Sequence, residues 1–230
     1  MTITLVTGAT RGVGRETARR LVAAGHHVYL GARDLAQGEE VAAAVGAMVI
    51  QLEVTDRSSV AAAADRIRTE AGGLDVLVNN AGIAGDQRPP AEATIDDLRR
   101  VLETNVIGAA QVLSVCTPLL DASQSPVVVN VSSAVGSLER NAQPDSQWSL
   151  VAYPVSKAAL NMLTIQYAHA YPRWRVNSAT PGLTDTDFSP LTPGRGGTVE
   201  DNVEIIVTMA TVDSDGPTCT FVGNDGPVPW

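Results

Sequence analysis

A chain of 230 residues, 44% of them hydrophobic and with charges of both signs, suits one α/β domain and is too apolar to be disordered. Its formal charge of −9 argues against a nucleic-acid or anionic-membrane partner. Cys116 and Cys219 are its two cysteines and read as buried free thiols, one in an apolar helical run and one in a strand. No apolar run approaches the ~18 residues that span a bilayer, and the opening MTITLVTGAT lacks the basic segment and cleavage site of a signal peptide, so the expected location is cytoplasmic.

Short β-type runs alternate with helical ones, the pattern of a parallel sheet built from βαβ units. The expected strands are residues 2–7, 27–32, 48–54, 76–79, 127–132, 175–179 and 219–222. Most lack apolar/polar alternation, as strands covered on both faces do. Helices are expected over residues 14–24, 35–45, 58–71 and 153–170, the first three closed by Gly25, Gly46 and Gly72. Asp56 is placed to cap the third, and Thr94 with Asp97 and Thr198 with Asp201 read as acidic capping boxes. Residues 137–150 and 184–197 are long irregular stretches, which favours function over mere connection. The expected architecture is one doubly wound domain over residues 1–230, with about seven strands and helices on both faces. The proline-rich GPVPW end does not suit a central strand, and Trp230 is expected to pack the tail onto the body.

The first strand runs into TGATRGVG, where Gly8, Gly12 and Gly14 allow a sharp turn and a close approach to a pyrophosphate at the N-terminus of the next helix. The spacing is G-x3-G-x-G. After the second strand comes LGARD, with Ala32 and Arg33 where an NAD-preferring site carries an acidic side chain for the ribose 2′-OH. Arg33 has two readings: a partner for a 2′-phosphate, assisted by Arg11, or an ordinary solvated arginine. Tyr153 and Lys157 in YPVSK share a helical face by their spacing, and Pro154 directly after the tyrosine implies a helix start.

With TGATRGVG, LEVTD, NNAG, Asn105, VNVSSAVGS, YPVSK and PGLTDT in this order, the chain resembles the short-chain dehydrogenase/reductase family nearly end to end, and its small carbonyl-reductase-type members in particular. The resemblance implies an oxidoreductase with a nicotinamide cofactor. It makes Tyr153 the general acid/base, Lys157 its partner and a ribose ligand, Ser133 the residue orienting the substrate carbonyl, and Asn105 the holder of a water behind Lys157. It assigns the cofactor to Gly8, Thr10, Arg11, Gly12, Val13, Gly14, Arg33, Glu53, Val54, Asn79, Ala81, Gly82, Tyr153, Lys157, Pro181, Gly182, Thr184 and Thr186. Glu53 stands where relatives carry aspartate and is one methylene longer.

The chemistry asks for a proton on oxygen as a hydride reaches carbon. A free tyrosine, with a pKa of ~10, is too weak an acid to cycle readily, and a nearby ammonium or an oxidised nicotinamide favours its ionised form. The resulting expectation is an NADP(H)-preferring carbonyl reductase acting reversibly on a small-molecule ketone or aldehyde, with no metal. The competing readings are a dedicated biosynthetic ketoreductase and a non-catalytic cofactor-sensing protein of the same fold. Monomer and homo-oligomer both stay open. Trp148 reads either as a loop anchor or as a wall of the substrate pocket.

Overall fold

A computed structural model describes residues 1–146, 149–186, 188 and 196–230. Its strands are β1 (Ile3–Val6), β2 (His27–Ala32), β3 (Met48–Gln51), β4 (Val76–Asn79), β5 (Val127–Val131), β6 (Arg175–Thr180), β7 (Phe221–Gly223) and β8 (Gly226–Pro227). They form one sheet in the order β3-β2-β1-β4-β5-β6-β7-β8, parallel except for the antiparallel β7–β8 pair. The main helices are α1 (Gly12–Ala23), α2 (Leu35–Val45), α3 (Arg57–Ala71), α4 (Ile95–Leu102) and α5 (Ala109–Asp121), followed by α6 (Leu138–Asn141), α7 (Ala152–Ala170), α8 (Val199–Asn202) and α9 (Glu204–Ala210).

Strand pleating divides the core in two. Leu5, Tyr29, Leu77 and Val128 pack with Ile67 of α3, Leu113 of α5 and Ala168 of α7. Val6, Leu30, Val78 and Val129 point the other way, onto Leu21 of α1, Ala42 of α2 and Ile206 of α9. Both faces of the central strands are therefore covered, and β1, β4 and β5 are buried at every position. Among the described residues no helix is long and apolar enough to cross a membrane.

Four local details depart from the sequence expectation. The tail adds an eighth strand, two residues long, at the sheet edge, where Pro227 is tolerated. Trp230 stacks on Phe221 at 5.7 Å, as expected of a packing anchor. Cys219 is not in a strand; it sits just before β7 in a left-handed conformation, φ 56°. β3 stops at Gln51 because the chain then turns, Asp56 N donating to Glu53 O, to start α3. Between α4 and α5 the helix widens into a π-helical segment, Glu103–Gly108. A Cβ on Gly108 would stand 2.8 Å from Val54 Cγ2, so this segment packs closely on the turn after β3.

The N-caps are local, and Asp56 and Thr94 cap their helices as expected. Asp34 and Asp56 accept from the amides of Gln37 and Ser58, and Thr94 Oγ1 accepts from Asp97 N at 3.1 Å. The Asp97 carboxylate in turn accepts from Asp86 N, fastening the loop after β4 to α4. Thr94→Ala should lower stability by about 1 kcal/mol, the usual cost of losing such a cap. In urea the unfolding midpoint should fall with an unchanged m-value.

Candidate active site

The chain leaves β3 and returns to the middle of the sheet at β4, beside β1. At such a reversal the loops from neighbouring strand ends part and leave a crevice. A cleft of about 710 Å³ lies there, lined by the turns after β1, β2, β3, β4, β5 and β6. Gly8 has φ 61°, and a Cβ on it would come 2.8 Å from Ala81 Cα; only glycine lets the two central loops pass. Gly12 opens α1 with φ 52°, and a Cβ on Gly14 would press within 2.6 Å of Gly8 O. Arg11, at the N-cap, makes no side-chain capping bond, and Thr10 to Gly14 line the cleft. The first amides of a twelve-residue helix, with the positive end of its dipole, thus border a cradle in which Gly8, Gly12 and Gly14 contribute no side chain. These features fit the pyrophosphate of a dinucleotide.

The turn after β4 requires a correction. Asn79, expected to line the cofactor, is buried, and its Nδ2 donates to Asn130 Oδ1 at 2.9 Å. The asparagine that lines the cleft is Asn80, whose Nδ2 donates to Thr7 O at 2.9 Å and Gly8 O at 3.0 Å. Thr7 Oγ1 accepts from Asn80 N and Ala81 N, which fixes this loop against the glycine loop. Ala81 and Gly82 line the cleft as expected.

At the far end of the cleft Ala32 is buried and Arg33 projects, its side chain 77% exposed. Glu53 Oε1 accepts from Thr55 N at 3.1 Å and Thr55 Oγ1 at 2.9 Å. That leaves Oε2 facing Arg33 Nε at 3.8 Å. Val54 also lines the cleft, with its carbonyl engaged by Gln111 Nε2 at 2.8 Å.

Tyr153 is the second residue of α7 and Pro154 the third, so the proline falls in the first turn, where its missing N–H has no intrahelical partner to lose. One turn on, Lys157 is buried. Its Nζ donates to Val131 O at 2.8 Å and lies 5.5 Å from the centre of the Tyr153 ring. A Cβ on Gly136 would be 2.7 Å from the Lys157 carbonyl carbon, so the short turn after Ser133 packs directly on α7. Asn105, in the π-helical segment, does not line the cleft. Its Nδ2 donates to Ile83 O at 2.9 Å and Ser156 Oγ at 3.0 Å, and its Oδ1 accepts from Ile83 N. Ser156 Oγ in turn donates to Tyr153 O at 2.7 Å. The two side-chain N–H groups of Asn105 thus tie the loop after β4 to the start of the helix that bears Tyr153.

The electrostatics differ from the expectation in one respect. Burial pushes the Tyr153 phenol well above its ordinary range, and the Ser133 hydroxyl only partly opposes this. Burial also lowers the Lys157 ammonium to about 8. Loss of water favours the uncharged form of each group. Tyr153 is consequently held as a proton donor.

Phe188 was not foreseen. Its ring meets that of Tyr153 edge-on, with centres 5.6 Å apart and planes at 62°. Ile83, Gln87, Val135, Leu150 and Leu183 line the same cleft, as do Ser133, Pro181, Gly182, Thr184 and Thr186. The only sequence signal was a rare aromatic shortly after PGLTDT. Thr184 and Gly197 pair in an isolated bridge, and Asn202 Nδ2 donates to Leu183 O and Thr184 Oγ1. Of residues 138–150, Leu150 alone among the described residues lines the cleft, and Trp148 lies outside the described residues.

Known proteins bear comparison. A sequence profile of the short chain dehydrogenase family matches residues 2–192. A short-chain dehydrogenase/reductase of Stachybotrys chlorohalonatus, ATR10, is 33% identical, covering 99% of this chain and 94% of its own. The cis-4-hydroxycyclohexanecarboxylate dehydrogenase of Sinomonas cyclohexanicum is 38% identical over 84% of this chain and 76% of its own. Among solved structures, the NADPH-bound carbonyl reductase from chicken fatty liver superposes with a TM-score of 0.88 at 26% identity, covering all of this chain and 94% of its own.

Proposed function

The chain belongs to the short-chain dehydrogenase/reductase family of oxidoreductases, and from that premise we propose that it reduces a ketone or aldehyde to the alcohol with NADPH. The observation that carries this reading is the meeting of Ser133, Tyr153 and Lys157 in the cleft that begins at the glycine loop. NADPH, when bound, supplies the hydride. The backbone amides of Gly12 to Gly14 would hold its pyrophosphate, Arg33 and Arg11 would pair with the 2′-phosphate, and Lys157 would bind the ribose beside the nicotinamide. The Ser133 hydroxyl donates to the substrate carbonyl oxygen, where negative charge grows. The Tyr153 phenol gives that oxygen its proton. The Lys157 ammonium beside the ring stabilises the phenolate left behind. Asn105 and Ser156 act at one remove, by holding the first turn of α7 and with it Tyr153. That the relatives include a carbonyl reductase and a cis-4-hydroxycyclohexanecarboxylate dehydrogenase supports a carbonyl/alcohol pair.

The test is consumption of NADPH with a panel of ketones and aldehydes, followed by the pH dependence of kcat/KM on the best of them. The sign follows from the two groups. Tyr153, pushed up by burial, stays protonated through neutral pH, so the donor is present. Lys157, lowered to about 8, is charged below that pH and loses its proton above it. Reduction should therefore be level from pH 6 to about 7.5 and decline above about pH 8, by about tenfold per pH unit once Lys157 is neutral. A rate that rises steadily to about pH 10 would assign Lys157 no charged role.

A further inference from the structure

The substrate end of the cleft has a composition of its own. Five apolar side chains, Ile83, Val135, Leu150, Leu183 and Phe188, border it. Phe188 stands edge-on to the Tyr153 ring and is still 36% exposed, and Leu183 is 46% exposed. Two large apolar surfaces are therefore left in water beside the proton donor, and a bound apolar body would cover them. The charged lining residues are placed elsewhere or engaged. Arg11, Arg33 and Glu53 belong to the glycine-loop end, and Lys157 is buried and bonded to Val131 O. Among the described residues, no cation lines this end other than Lys157.

We infer that the substrate is a free, uncharged ketone with an apolar ring or branched body, seated against Phe188 with its carbonyl at Ser133 and Tyr153, and that Phe188 is the residue that selects it. This rests on the carbonyl-reductase reading and adds to it the charge and shape of the substrate. A carboxylate on the same body would be buried against these apolar side chains, with no cation other than Lys157 to receive it among the described residues. A small ketone would reach Tyr153 but leave Phe188 and Leu183 uncovered.

The experiment compares 4-tert-butylcyclohexanone, 4-oxocyclohexanecarboxylate, acetone and acetoacetyl-coenzyme A as substrates of the wild type with NADPH. The neutral bulky ring should exceed its carboxylate analogue by ~10²-fold in kcat/KM, the penalty for an unpaired charge in an apolar site. Phe188→Ala should raise KM for the bulky ketone by ~10-fold, well beyond any change for acetone, and leave the NADPH dissociation constant unchanged, while Phe188→Leu restores most of the loss. Preference for the carboxylate or the thioester, or an unchanged KM in Phe188→Ala, overturns the inference while leaving the reductase reading intact. If no carbonyl compound oxidises NADPH, the reductase reading fails, and thermal shifts still decide the pocket's chemistry. The bulky ketone should raise Tm of the NADPH-saturated protein more than the carboxylate does, and a larger rise with the carboxylate overturns the inference.

Discussion

Tyr153→Phe should lower kcat for carbonyl reduction by at least ~10²-fold and leave NADPH affinity within about twofold. The substitution is close to silent for the structure. The ring stays where it is, edge-on to Phe188 and 5.5 Å from Lys157 Nζ, and Ser156 still donates to the carbonyl of residue 153. What leaves is the phenol, the one group in this part of the cleft that burial holds protonated. Ser133 cannot take over its role: its hydroxyl is a far weaker acid, and ionising it beside a developing alkoxide would be opposed. A water molecule entering the gap could return some of the rate, so ~10²-fold is the lower bound and ~10⁴-fold the upper. Steady-state rates with a saturating neutral ketone measure the loss, and a fluorescence titration with NADPH measures what is retained. Near-normal turnover would remove Tyr153 from the chemistry.

The parts of this molecule that could be read from its sequence are those fixed over a few residues. Asp34 and Asp56 cap their helices through amides two or three positions on. The central strands show as unbroken apolar runs because helices cover both faces. Tyr153 and Lys157 meet because a helical turn separates them. The missed features depend on contacts distant in sequence. Asn79 and Asn80 are chemically identical neighbours; pairing with Asn130 on the adjacent strand puts the first in the interior and the second in the cleft. The π-helical segment around Asn105 has no local composition of its own, and its close packing on Val54 appears only in three dimensions. Phe188 could not be assigned because nothing in its neighbourhood says that it will meet Tyr153. The sequence suggested for Asn105 only the holding of a water behind Lys157, and did not show that its amide would tie Ile83 to Ser156. The mutual effect of Tyr153 and Lys157 was judged from their proximity alone, without the cost of burying both.

Replacing Ala32 by Asp and Arg33 by Ala together should reverse the cofactor preference, from NADPH to NADH, changing the ratio of the two kcat/KM values by ~10²-fold or more. Two effects add. A guanidinium paired with a phosphate contributes about 1.5–3 kcal/mol, lost with Arg33. A carboxylate at position 32 repels the 2′-phosphate and accepts from the 2′-OH that NADH offers instead. Glu53 bears on the size of the first effect. Its carboxylate is tied to Thr55, and at 3.8 Å from a 77% exposed guanidinium it forms a surface pair worth about 0–1 kcal/mol, too little to hold Arg33 from a phosphate dianion. Once Arg33 is gone, Glu53 has no cation beside it and becomes a second negative charge near the phosphate, which widens the discrimination. The steric risk lies at Ala32, which is 1% exposed and whose Cβ is only 2.6 Å from where a Cβ on Gly38 would lie. Arg33→Ala alone avoids that contact and should still weaken NADPH by ~10-fold with NADH unchanged. Equal use of both cofactors by the wild type, or an Arg33→Ala variant that keeps its selectivity, would show that Arg33 is only a solvated side chain at the edge of the cleft.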